Sequence, residues 1–304
     1  FRDDITPQII RIASSRFRSK KRPIKLCYYG EVIRKKGTML RPERQFLQIG
    51  SEIIGSKSVS ADIEIITLAY QSLAKIGITN ITLELTSKIF LDEILTKIKD
   101  INSLKKLKNF IKKKDIKNSL TLINNKKDKV YLENLFKLTG NSNKLNNKIN
   151  NLAFSEIAKK EIENIKKISK SINLKTNDQI TYDFTEFDNK NYHDGIKFTF
   201  FAKNIRGEIA SGGRYKINTD LQQETAVGFT CFMDTVLRAS SFENMSKKIL
   251  IPFETEEIVK ENLMKKNYII YSFFENTDDI SDIRLFAKKY SCTHIYENNK
   301  IKKI

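Results

Sequence analysis

Residues 41–55 read RPERQFLQIGSEIIG, and residues 23–34 read PIKLCYYGEVIR. Both are short runs rich in Ile, Leu, Val, Tyr and Phe, the composition of β-strands. The polar stretch KKGTMLRP, Lys35 to Pro42, joins them, so residues 24–34 and 43–54 are expected to form a long-looped hairpin. On the second strand the two-residue side-chain period puts Gln48 and Glu52 on one face, about 13 Å apart at ~3.3 Å per residue. Two polar side chains flanked by Phe46, Gly50 and Ile53 suit the two ends of a pocket for an elongated ligand better than a solvated sheet edge.

Outward from the hairpin, Thr6-Pro7 has the pattern of N-cap and N1 of a helix whose apolar stripe is Ile9, Ile12, Ala13 and Phe17. Residues 61–76 form an amphipathic helix capped by Ser60 and ended near Gly77, and ITLEL at 81–85 is a strand. From about 90 to 175 the pattern is helical, with a break at Gly140-Asn141. Alternation returns at Ile180, Tyr182 and Phe184, and IKFTFFA (196–202) and GEIASGGRY (207–215) continue it as a β-meander with turns at 188–195 and 203–207. Residues 226–239 start extended and become a helix with Met233, Val236 and Leu237 on its apolar face. Beyond them, KILIPF, a helix at 255–266, YIIYSFF, a helix at 279–290 and THIY suggest a small α/β module. The expected organisation is a core in two parts, 1–89 and 176–240, interrupted by a helical insertion, 90–175, and followed by the module, 246–304. The fold class is α+β, an antiparallel sheet flanked by helices.

The 304 residues carry 55 basic and 36 acidic side chains, a formal charge of +19. Such a balance first suggests nucleic acid, but its location argues otherwise. Residues 101–150 hold thirteen Lys and no Arg against Asp115, Asp128 and Glu133, so over half of the excess lies on one Lys/Asn-rich stretch. Arginine forks and interleaved aromatics are scarce there, and a solvated helical face is the expectation, with nucleic acid not the expected partner. Arginine itself is rare, and eight of the twelve fall within residues 1–44. With Arg206 and Arg214 they point to an anion or carboxylate site built from the first segment and the 206–214 region. Cys27, Cys231 and Cys292 are an odd number without metal-ligand spacing, which argues against disulfides and a zinc site and fits a reducing cytoplasm. Neither a metal nor a cofactor is expected, and no stretch has the ~18 apolar residues of a membrane span. The chain opens at Phe1 without a signal peptide, and N-terminal trimming is the expectation.

A hairpin and a distant antiparallel unit interrupted by helices make one site. YGEVIR with RPERQFLQIGSEIIG resembles motif 2 of class II aminoacyl-tRNA synthetases in its histidyl version. FRDDITP (1–7) is similar to the stretch after motif 1, SGGRY (211–215) to the histidyl glycine-rich signature, and ETAVGFTCFMDTVLR (224–238) lies where motif 3 belongs. The motif 1 helix and strand, which build the family's dimer interface, have no counterpart here. By this resemblance Asp4, Thr6, Arg34, Gln48 and Glu52 hold histidine, and Tyr192, His193 and Tyr215 enclose its ring. His193 has no Ser or Cys nucleophile beside it, so catalysis by it is not expected, and His294 is read as structural.

The resemblance also implies losses. Arg34 keeps the motif 2 arginine, but Lys36 replaces the acidic residue two positions on. Thr235 stands at the motif 3 arginine, Phe232 at a glycine, and Asp188 at the histidyl-specific arginine. Loss of those two cations removes the electrostatic case for stabilising the charge that develops on an ATP α-phosphate. With its short C-terminal module the chain resembles the regulatory subunits of ATP phosphoribosyltransferase, of the alphaproteobacterial type. That resemblance implies a noncatalytic protein which dimerises and assembles with the short-form catalytic subunit in a hetero-multimer. It would be needed for that subunit's activity and would convey feedback inhibition by histidine. The alternatives are a divergent histidyl-tRNA synthetase and an RNA-binding synthetase paralogue.

Overall fold

The computed structural model describes residues 2–37, 42–149, 154–186, 193–219, 222–241, 247–274 and 280–304. The chain divides into two compact units, Phe1–Ser241 and Phe242–Ile304. In the first, helix α1 (Thr6–Ser14) precedes β1 (Ile24–Ile33) and β2 (Gln45–Ile54), which pair antiparallel from Ile24 opposite Ile54 to Ile33 opposite Gln45. That is the expected hairpin. Thr6 is not the cap of α1 but its first residue. Asp4 Oδ1 instead accepts from the backbone N–H of Ile5 at 2.8 Å and of Thr6 at 3.3 Å, which frees the Thr6 hydroxyl.

Helix α2 (Val59–Lys75) begins two residues before its expected start. Ser58, still extended, accepts from Ser60 N–H, while Ser60 is already helical and cannot cap. Strand β3 (Ile81–Ser87) leads into the insertion, α3 (Ile89–Leu95), α4 (Ile101–Lys112), α5 (Ile116–Thr121), α6 (Lys126–Lys137), the two-residue strand β4 (Gly140–Asn141), α7 (Ser142–Ile149) and α8 (Glu156–Ser171). The break at Gly140-Asn141 is therefore a strand, paired with β5 (Gln179–Tyr182). Strands β6 (His193–Ala202), β7 (Ala210–Thr219) and β8 (Gln222–Phe232) follow, then α9 (Met233–Ala239).

The sheet runs β1-β2-β8-β7-β6-β3-β5-β4. It is antiparallel except between β3 and β5, where the whole insertion serves as the crossover that a parallel pair requires. The insertion packs on this sheet because its apolar residues recur at helical spacing. Ala158, Ile162, Ile165 and Ile168 of α8, with Leu107 and Ile111 of α4, join Leu83, Leu85, Phe198 and Phe200 in one core. Lys105, Lys106, Lys112, Lys113, Lys126 and Lys127 lie on the exposed side. Lys114 is exposed as well, but its Nζ reaches Asp183 at 2.5 Å and Thr185 at 2.7 Å, tying the end of α4 to the end of β5. On α9, Val236 is buried but Leu237 is 71% exposed, so the expected apolar face is narrower. A smaller core of Ile5, Ile9, Ala13, Phe46, Ile54 and Tyr215 seats α1 against the hairpin.

The second unit has β9 (Lys247–Pro252), α10 (Glu257–Lys265), β10 (Tyr268–Phe273), α11 (Ile280–Lys289), β11 (His294–Glu297) and β12 (Lys300–Lys303). Its sheet is β10-β9-β11-β12, parallel except for the last strand, which the alternation of apolar residues did not reveal. His294 packs edge-on to Tyr268 at 5.2 Å. Among the described residues no helix is long and apolar enough to cross a membrane, and no cluster could hold a metal ion.

Candidate functional site

The cavity-facing side of the sheet is written in its register. Glu52 lies opposite Gly228 of β8, which lies opposite Gly213 of β7; Gln48 lies opposite Phe232. A Cβ at Gly228 would overlap the Glu52 carboxylate, and one at Gly213 would overlap the His193 ring. Glycine at both positions leaves a hollow of about 430 Å³, the size of a small-ligand pocket. Asp4, Thr6, Arg34, Gln48, Glu52, His193 and Tyr215 all line it. Tyr192 and Asp188 lie outside the described residues.

Glu52 is the centre of the polar network. It is 2% exposed, accepts from the Tyr215 hydroxyl at 3.0 Å on Oε2 and from the Thr6 hydroxyl at 3.3 Å on Oε1. Burial pushes its pKa up to about 8, against the two hydrogen bonds, which favour the ionised form. The cavity thus stores a carboxyl that ionises readily only when a positive group arrives. Gln48, 3% exposed, accepts from Ile5 N–H at 3.3 Å, which fixes its amide oxygen and keeps the segment before α1 over the cavity. Neither side chain faces solvent.

Tyr28 completes the network and was not among the residues expected from the sequence. Its hydroxyl lies 2.6 Å from Thr230 Oγ1 and 3.4 Å from Thr6 Oγ1. The Phe229 carbonyl and the Tyr28 phenol both stand where a side chain on Gly50 would be, so only glycine fits between them. Burial and the neighbouring Glu52 raise the Tyr28 pKa and keep the phenol neutral. No signal local to residues 28 or 230 shows this, since the two are brought together only by the order β1-β2-β8.

The opposite end is cationic and aromatic. The Arg34 guanidinium lies 4.8 Å from the Phe46 ring centre and 5.6 Å from that of Phe232, and the two rings meet edge to face. Thr235 is fully buried, and its hydroxyl donates to the carbonyls of Glu208 at 2.8 Å and Phe232 at 2.9 Å. Arg214 corrects the expected anion site: its guanidinium faces away from the cavity. It pairs with buried Asp62 at 2.9 Å and donates to the carbonyls of Ser56 and Ser58. Arg206 is exposed. The scarcity of arginine thus marked a cavity residue, Arg34, and structural clamps, Arg214 and also Arg22, which pairs with Glu224 and donates to the carbonyls of Phe17, Lys20 and Ala13.

A family model described as histidyl-tRNA synthetase matches residues 1–236. An ATP phosphoribosyltransferase regulatory subunit from Rhodospirillum centenum is 29% identical over 305 residues, covering 100% of this chain and 77% of that protein. Another, from Clostridium botulinum, is 30% identical over 310 residues, covering 95% and 72%. The chain belongs to this family of regulatory subunits. Its fold is that of the histidyl-tRNA synthetase family, and it is shared with a chain of the ATP phosphoribosyl transferase complex from Thermotoga maritima. That match has a TM-score of 0.62 at 20% identity, over 77% of this chain and 81% of that one. The regulatory-subunit family thus keeps a synthetase-like sheet, and in this member that sheet carries the Glu52 cavity.

Proposed function

We propose that this regulatory subunit binds free histidine in the Glu52 cavity and reports it to the catalytic subunit of ATP phosphoribosyltransferase, without activating histidine itself. The observation that carries the proposal is a contrast within one cavity. The end suited to an amino acid is intact, with Glu52, Thr6, Tyr215 and Gln48 hydrogen-bonded around a hollow. The end suited to a triphosphate has Phe232 against Arg34 and a Thr235 hydroxyl turned inward to carbonyls. A buried carboxyl matches the α-ammonium or an imidazole N–H of histidine, and the adjacent Gln48 amide can serve either a donor or an acceptor. His193 and Tyr215 border the same space and supply the ring contacts. The partner follows from the relatives, which are regulatory subunits of that transferase over most of their length.

The test is reconstitution with the short-form catalytic subunit. The chain should raise transferase activity, and histidine should suppress it. Calorimetry on the chain alone should show histidine binding with ATP binding weak or absent. Histidine-dependent ATP–pyrophosphate exchange would sink the proposal in favour of a synthetase, and tight ATP binding without histidine binding would overturn it outright.

A further inference from the structure

A second cavity, of about 320 Å³, adjoins the first, and the two share the His193 ring as a wall. It lies between the end of β3, the start of β6 and the first two helices of the insertion. A register shift between His193 and Lys197 creates the shared wall, and Gly195 at φ +144° takes the backbone angle that the shift needs. Such irregularities re-aim side chains, and here they send His193 against Gly213 while Lys197 turns into the second cavity.

The chemistry of this cavity differs from that of the first. Its floor is apolar, formed by Leu91 and Leu95 of α3, Leu104 of α4 and Ile98 between them. Three lysines stand around that floor. Lys88 Nζ is 3.4 Å from Asp194, and Lys197 Nζ is 3.4 Å from Glu186, so both are committed to carboxylates. Lys108 is half-buried and makes no ion pair among the described residues. The remaining carboxyl in the lining, Asp92, has its pKa raised by its own burial, against the opposing pull of Lys88 and Lys108, and makes no ion pair with Lys108. A half-buried ammonium that faces an apolar floor and makes no ion pair there is a good anion receptor.

We propose that this cavity is a second small-ligand site, which takes an organic acid with an apolar body, its anionic group on Lys108 and its body on Leu91, Leu95 and Leu104. The acid is a carboxylate or a phosphate ester, and the experiment separates the two. The full chain is titrated with 4-phenylbutyrate and with phenyl phosphate at millimolar concentrations, and binding is read by saturation-transfer NMR. At least one probe should bind, and the tighter one names the anionic group. Lys108→Gln should weaken it about tenfold or more, as loss of a charge-assisted hydrogen bond does. Glu52→Gln, in the neighbouring cavity, should leave it unchanged. Leu104→Glu, which sets a carboxylate on the floor, should abolish it, with the circular dichroism spectrum as the check on folding. The proposal is overturned if neither probe binds, if Lys108→Gln binds as well as the parent, or if Glu52→Gln weakens binding as much as Lys108→Gln does.

Discussion

Replacing Glu52 by Gln keeps the side-chain shape and removes the charge. The pKa of this acid is raised from 4.5 to about 8 in the folded protein, chiefly by burial. Between those two values the folded chain holds a proton that the unfolded chain has released, so stability falls as pH rises through that window. At ~1.4 kcal/mol per unit the total is a few kcal/mol. The Gln variant lacks this slope, so in urea unfolding it should match the parent near pH 5 and exceed it at pH 8.5. Histidine binding should run the other way. An α-ammonium against Glu52 requires the ionised carboxylate, so binding at pH 7 should expel close to one proton. Parent affinity should then climb by up to about tenfold per pH unit toward pH 8. At pH 8.5 the charge-assisted bond, ~1.5–3 kcal/mol, should favour the parent by one to two decades, and at pH 6 the gap should close. Calorimetry in two buffers of different ionisation enthalpy reads affinity and proton release together. Equal affinities at pH 8.5, or no proton release by the parent at pH 7, would refute the reasoning. In the reconstituted complex the variant should stay active and respond only weakly to histidine, because an effector controls a partner only as far as it binds. Unchanged inhibition would place the feedback site elsewhere.

Gly228→Ala puts a methyl group where the Glu52 carboxylate lies, so it should cost ~1–3 kcal/mol in chemical denaturation and abolish histidine binding. Arg214→Gln strands the buried Asp62 carboxylate, and a loss of ~3–5 kcal/mol is expected, with residual folded protein binding histidine normally. Changing the exposed Lys105, Lys106, Lys112, Lys113, Lys126 and Lys127 to Gln should leave assembly with the catalytic subunit intact by gel filtration. Lost assembly would make that face the docking surface.

How much of this was legible along the chain differs from element to element. The hairpin was, because β-rich composition and a polar loop are local signals, and so was the shared face of Gln48 and Glu52, because side-chain alternation is a property of any strand. The helical character of the insertion followed from apolar spacing in the same way. The caps lie before the expected residues, at Ser58 and not Ser60, and at Ile5 and not Thr6, because several polar residues can cap and only the backbone angles choose among them. Arg214 was taken for a ligand-binding group because a scarce residue says that its geometry matters and not which partner it meets. Its partner, Asp62, is 152 positions away in sequence.

The sequence by itself determined which side chains could recognise a ligand, since each strand's period orders its own residues. The tertiary structure decided what the cavity is. Only the register of five strands sets Glu52 over Gly228, Gly213 beneath His193 and Tyr28 against Thr230. Only burial turns an ordinary glutamate into an acid that titrates near pH 8. The contacts of Glu52 with Gly228 and of Tyr28 with Thr230 join residues 176 and 202 positions apart. A chain shows the order of such residues, but their distances exist only once the sheet has closed.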